Sequence, residues 1–301
     1  MYRAIMNRLL RKEEGQSLIV VALALVALLG VAALAVDGGY AYAQHRRMQN
    51  AADMAAVAAT RALGLGRSAA EIEQEIDHYT RANGANDFTY FFVDRNGQPT
   101  GLLDDARGVH VRAQVTFDTF LGGVVGIRQM TAAAESEAEM YGVGGASNLL
   151  PILVHEDDFQ YYQVYELWDD DHEAPGAFGW ADWDDNGGAS ALASDIANPS
   201  HSGYWEIGDL VPAETGVNAS SQVRNALNLW RNRNVTVPLY DQVAGTGNNT
   251  RYRISGFGEF VLVNYVLTSS DKRIWGYFIR QVTPGPPGGP EFGLQGIRLT
   301  R

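Results

Sequence analysis

From Gly15 to Val36 the chain carries no charge, and Ser17 to Val36 is almost wholly Leu, Val, Ala and Ile. At a helical rise of about 1.5 Å per residue such a run spans roughly 30 Å, the thickness of a bilayer's hydrocarbon core. A core helix of a soluble protein is rarely apolar on every side for this length. The pattern therefore predicts a transmembrane helix over 17–36. The leader before it, 1–16, holds Arg3, Arg8, Arg11 and Lys12 against Glu13 and Glu14. Positive flanks stay in the cytoplasm, so the N-terminus is expected inside and the bulk of the chain periplasmic or extracellular. Arg46 and Arg47, beyond the span, pull the other way.

The helical pattern continues past the span, with Asp37-Gly38-Gly39 as an expected weak point where the chain leaves the bilayer. Met48, Ala52, Ala55, Ala59 and Ala62 then recur on one face. Small residues so spaced let another backbone approach closely. Ala52, Ala55, Ala59 and Ala62 are thus a candidate packing interface, against a neighbouring helix or the chain's own domain. The competing explanation is helix propensity alone, alanine being the best helix former.

Ser68 and Glu71 form a capping-box pattern, Ile72, Ile76 and Tyr79 line one helical face, and Gly84 ends that helix. Asp87 to Val93 predicts a strand, turned by Asp94-Arg95-Asn96-Gly97. Val109, Val111, Ala113, Val115 and Phe117 alternate with His110, Arg112, Gln114 and Thr116, a half-buried strand. Ala132 to Met140 is a conflict: it has helical propensity, but Glu135, Glu137 and Glu139 alternate with Ser136, Ala138 and Met140, which suits a strand with one wet face. Glycine-rich 141–147 followed by Pro151 suggests a boundary, and all six tryptophans lie beyond it. Past that point Gln160–Trp168, Val235–Tyr240, Tyr252–Thr268 and Arg273–Val282 predict strands. Ser221–Arg231 predicts a helix with Val223, Leu227 and Trp230 inward. The reading is an α+β fold: a membrane helix, a helix-plus-strand membrane-proximal domain over 37–146, and a β-rich distal domain over 147–301.

The net charge of −12 is concentrated beyond the span, which keeps 19 of the 23 basic and 33 of the 35 acidic side chains. Such a surface repels phosphate backbones, so no nucleic acid is expected as a partner. The chain has no cysteine, which removes disulfides, thiolate metal sites and cysteine nucleophiles together.

Asp182-Trp183-Asp184-Asp185-Asn186-Gly187 places short oxygen side chains at alternate positions before a glycine turn, as a hard cation requires. Asp182, Asp184 and Asn186 are the candidate metal ligands, with calcium the candidate ion and Asp169, Asp170 or Asp171 to complete the shell. An EF-hand would need Glu at loop position twelve, which is Ala193. The simpler reading is an acidic turn. His155-Glu156 and His172-Glu173 lack the second histidine of a zinc helix, and Gly142-Val143-Gly144-Gly145 lacks the lysine of a phosphate loop. No serine sits in a nucleophile elbow. No catalytic or cofactor-binding residue is assigned, and an enzyme is not expected.

One combination of motifs is more specific. Gly15-Gln16-Ser17, the apolar span, Ala35-Val36-Asp37-Gly38-Gly39, Arg46 and Gln49-Asn50-Ala51-Ala52-Asp53-Met54-Ala55-Ala56 follow one another in order. This stretch resembles the N-terminus of the TadE/TadG-like proteins of Tad (Flp) pilus-assembly systems. Val211-Pro212, Gly216, the helix from Ser220, Val237 to Asp241 and Tyr252 to Phe257 resemble their outer part more loosely. The resemblance implies a strand over Ala132–Met140, and a bacterial envelope protein of a pilus or secretion assembly without catalysis. Larger TadG-like members carry a metal-binding von Willebrand type A domain, whose Asp-x-Ser-x-Ser loop is absent here. The partners implied are the lipid bilayer and other pilus or envelope subunits reached through the N-terminal helix.

Two processing alternatives accompany the anchor. Ala33-Leu34-Ala35 and Ala41-Tyr42-Ala43 fit signal cleavage, although the apolar run is longer than a usual signal. Gly15 after a basic leader fits prepilin processing, yet the acidic residue that type IV pilins place five residues into the mature chain is here Val20. The functional expectation is a structural component of a Tad-like pilus or a surface adhesin displayed by it. The alternative is a membrane-tethered ligand-binding module, with calcium as its candidate ion.

Overall fold

A computed structural model describes residues 14–168, 178–214, 219–268 and 270–300. The basic cluster at Arg3 to Lys12, Asp169 to Asp171, His172-Glu173 and Gly216 lie outside the described residues.

Helix α1, Glu14–Gly64, is a single helix of 51 residues, about 75 Å long at the ordinary rise. The expected weak point does not interrupt it: Gly38 and Gly39 remain helical, and a Cβ on either would meet open space. Each glycine disfavours a helix interior by about 1 kcal/mol relative to alanine. Packing holds the helix across this point, because a stripe running through Ala33, Asp37, Gln44, Met48, Ala52, Ala55, Ala59 and Ala62 is buried. Helix α2, Ala69–Ala82, lies beside α1. It begins at the Ser68–Glu71 capping box and ends at Gly84, whose φ of +85° favours glycine.

The first sheet is built from β1 (Asp87–Val93), β2 (Pro99–Thr100), β3 (Gly108–Asp118) and β4 (Gln129–Val143). Three late strands join it: β14 (Gln281–Val282), β15 (Pro287–Gly289) and β16 (Leu294–Leu299). The order is β14-β16-β4-β3-β1-β2, with β15 also on β4. The Ala132–Met140 conflict resolves as strand. Ala132, Ala134, Ser136 and Ala138 face the helices, paired in register with Val115, Ala113, Val111 and Val109. Small side chains on both layers bring α1 so close that Thr60 Oγ1 donates to Ala138 O at 3.1 Å. His110, expected on the wet face, is buried, because Phe91 stacks on its ring and Glu137 pairs with it.

The second sheet has the order β7-β13-β12-β11-β6-β8, with β10 on β12. Its strands are β6 (Ile152–His155), β7 (Tyr165–Trp168), β8 (Phe178–Trp180), β10 (Leu210–Pro212), β11 (Asn234–Ala244), β12 (Arg251–Leu267) and β13 (Lys272–Ile279). A small ribbon pairs β5 (Gly145–Ser147) with β9 (Tyr204–Glu206). Helices α3 (Ala189–Ala197) and α4 (Ser221–Asn228) cover one face, where Leu192, Ile196, Val223 and Leu227 meet Val237, Phe260 and Phe278. α3 was not anticipated from its short run of small residues. The strand expected over Gln160–Trp168 shortens to β7, and α4 stops before Trp230, whose Nε1 still donates to Ile196 O at 2.6 Å.

The antiparallel-rich sheets and flanking helices make the fold α+β. Assigning all of 147–301 to a distal unit needs correction, since β14, β15 and β16 return to the first sheet. Val143 and Leu294 from that sheet pack with Leu153, Val211, Tyr240 and Phe257 of the second.

Candidate functional site

The two halves of α1 meet different surroundings. Residues 18–36 are almost wholly exposed, Leu34 at 77 %, with Ala33 as the buried exception. Water does not support so large an apolar cylinder, and something must cover it. From Asp37 onward one face is clasped by the first sheet.

The junction is built around Asp37, which is only 6 % exposed. Its Oδ1 accepts from the Phe120 amide at 2.7 Å, and its Oδ2 from Leu121 at 3.0 Å and Gly122 at 2.6 Å. Those amides open a short 3-10 turn, Gly122–Val125, at the tip of the β3–β4 hairpin. An anion there satisfies donors that the turn itself leaves unpaired. Burial disfavours the charged carboxylate, but the three backbone donors outweigh it and hold Asp37 below its ordinary value of 3.8. One turn on, Tyr40 sits edge-on between Phe117 and Phe120, with ring centroids 5.0 and 5.2 Å away. A carboxylate clasp and an aromatic wedge thus fix the hairpin tip to the helix at the end of the apolar run. Sequence reading singled out Asp37 as part of a weak point and of the motif shared with the TadE/TadG-like proteins, with no partner assigned to it. Its local signal was a lone acid directly after a charge-free run.

The alanine face packs on the first sheet and on α2 of the same chain. Ala52 packs with Met48, Ala113, Ala132 and Ala134, while Ala55, Ala59 and Ala62 pack with Ile72, Ile76, Val109, Val111 and Ala138. All four alanines are buried in the chain's own domain, so this face is not open to a neighbouring subunit. The face left open carries Met54, Val57 and Arg61, which with Leu65, Glu75 and Tyr79 line a groove of about 1000 Å³ between α1 and α2.

Asp182, Asp184 and Asn186 are brought together, but their polar atoms largely serve one another. Asp182 Oδ1 and Oδ2 accept from the Asn186 and Gly187 amides at 3.2 and 2.9 Å, and Asp184 Oδ2 accepts from Asn186 Nδ2 at 2.9 Å. Glu214 accepts from the Gly188 amide, and Arg251 pairs with Asp185 at 3.2 Å. Burial pushes the Asp182 carboxyl up, its backbone donors pull it down, and Glu214 nearby adds to the rise. Among the described residues no group of three or more His, Asp or Glu side chains converges as a metal shell would.

The helix that is bare in its first half and clasped in its second is the segment that known proteins share. Residues 15–63 match the family model "Putative Flp pilus-assembly TadE/G-like". The Tad match covers the apolar run, Asp37 and the alanine face, and stops at the end of α1. The resemblance drawn from the N-terminal motifs is therefore shown over this segment, and the looser likeness beyond Val211 lies outside it. No curated protein and no solved structure matches the chain. Among the described residues one helix, Ser17–Gly64, is long and apolar enough to cross a membrane.

Proposed function

We propose that this chain is a single-pass, extracytoplasmic structural component of a Tad (Flp) pilus-assembly system, working without catalysis. The observation that carries the proposal is the coincidence of the Tad match with α1, whose apolar half is bare and whose outer half is built into a folded domain. Such a helix transmits position: it ties two mixed sheets rigidly to whatever surrounds residues 17–36. The basic leader orients the domain outward. Signal cleavage after Ala43 is disfavoured, because it would remove Asp37 and Tyr40 and strand the amides of the 120–122 turn.

The test is an in-frame deletion complemented by the wild-type gene or by the Leu25→Arg, Leu29→Arg double variant. Each arginine at mid-bilayer costs roughly 2.5–3.5 kcal/mol on insertion scales. Sheared surface filaments should disappear on deletion, return with the wild type and fail to return with the variant. Undiminished filaments in the deletion strain would refute a role in assembly.

A further inference from the structure

We propose that the tip of the β3–β4 hairpin is a second membrane contact, seated in the outer interfacial layer of the bilayer beside the spanning helix. The inference rests on the anchor reading above and adds a new element to it.

Four observations converge on this loop. The first is apolar exposure: Phe120 is 66 % exposed, Val124 74 % and Ile127 53 %, all within one short turn. The second is position. The Asp37 clasp sets the turn's amides one residue beyond Val36, and Ala33, a helical turn back on the same face, is buried as well. The 3-10 turn touches α1, with Asp37 as its hydrogen-bond partner there. If 17–36 crosses the hydrocarbon, the tip has no route away from the headgroup layer. That layer adds about 5–8 Å on each side of the hydrocarbon.

The third observation is charge. Between Thr119 and Arg128 the loop has no carboxylate and ends in an exposed arginine, although the chain as a whole carries −12. The clasped Asp37 and Arg128 offset one another, so that with the neighbouring Asp118 the foot is only weakly acidic, which suits an anionic surface better than the strongly acidic rest of the domain. The fourth is the backbone. Lipid accepts a turn only when its amides are paired. The amides of Thr119, Val124, Gly126 and Ile127 bond within the loop, and those of Phe120, Leu121 and Gly122 bond to Asp37. The clasp thus holds the tip in place and also pairs three of the amides that would otherwise oppose its entry into the interface. Apolar side chains with a nearby arginine are the usual composition of an interfacial anchor.

The bilayer is favoured over a second copy of the chain because the patch is continuous with the surface of residues 18–36 that a membrane covers. The absence of cysteine permits a direct test on the full chain, reconstituted in vesicles of phosphatidylethanolamine and phosphatidylglycerol carrying nitroxide lipids. An environment-sensitive fluorophore is attached to Val124→Cys at the tip, Leu25→Cys in mid-span or Leu229→Cys on the distal domain. The Val124 label is expected to shift to the blue and lose most of its emission to shallow nitroxide, with less lost to deep nitroxide. The Leu25 label should be quenched by deep nitroxide and the Leu229 label by neither. A Val124 label that behaves like the Leu229 label, with Leu25 still quenched, would overturn the tip contact and leave the anchor standing. A Leu25 label untouched by either nitroxide would overturn both. A Val124 label shielded from aqueous iodide yet blind to both nitroxides would show a protein on the patch, and that too would overturn the proposal.

Discussion

The Gly122 amide donates to Asp37 Oδ2 at 2.6 Å across 85 residues of sequence. This contact joins the point where the apolar run ends to the tip of a hairpin, and so fixes the direction in which the outer domain stands on its helix. Asp37→Asn should preserve shape but lose the charge and turn an amide group toward three amide donors. Hydrogen exchange at Phe120, Leu121 and Gly122 is expected to quicken, with exchange in the distant α4 unchanged.

The same carboxylate sets a pH dependence. Its folded value lies below the ordinary 3.8. The stability it contributes is therefore fully present above that ordinary value and is lost as the pH falls through the lower folded one. Wild type should lose protection of the 120–122 turn in that acid window, whereas Asp37→Asn should change little across it. An identical acid profile in the two proteins would remove the clasp from the explanation.

Much of the fold could be read locally. The span, the Ser68 capping box and the β3 alternation rest on patterns within a few residues, whereas local signals conflicted over β4 and the family resemblance decided for a strand. What could not be read involves distant partners. Nothing near Asp37 names Gly122, and nothing near Leu294 says that its strand returns to β4. His110 follows the outward positions of its strand and is buried only because Phe91 and Glu137 meet it from neighbouring strands. The alanine face was visible as a pattern, but periodicity alone does not say whether a neighbouring subunit or the chain's own sheet and α2 lie against it.

That last distinction gives a mutational test with a definite sign. Ala55 and Ala59 are fully buried between α1 and the first sheet. Ala55→Leu or Ala59→Leu should each destabilise the folded chain by about 1–3 kcal/mol, the ordinary cost of overpacking. Arg61→Leu, on the exposed side of α1, should leave the melting temperature nearly unchanged. Leucine variants that melted like the wild type would place the alanines at a surface, not in the core.

Calcium should act weakly at the Asp182 loop, because backbone amides already occupy both Asp182 oxygens. Asp182→Ala should cost roughly 1–3 kcal/mol through the unpaired amides it leaves, by the same amount in calcium as in chelator. A melting temperature raised strongly by calcium in the wild type, and not in Asp182→Ala, would instead assign the loop to the ion.

The outward placement of the domain is open to one direct measurement. Because the natural chain has no cysteine, a single thiol reports its own side of the membrane. Leu210→Cys lies on an exposed position of the second sheet, and Asn7→Cys lies in the basic leader. In intact spheroplasts a membrane-impermeant maleimide should label Leu210→Cys fully and Asn7→Cys only after lysis. Labelling of Leu210→Cys that waits for lysis would contradict the central claim that α1 holds this domain outside the cytoplasm.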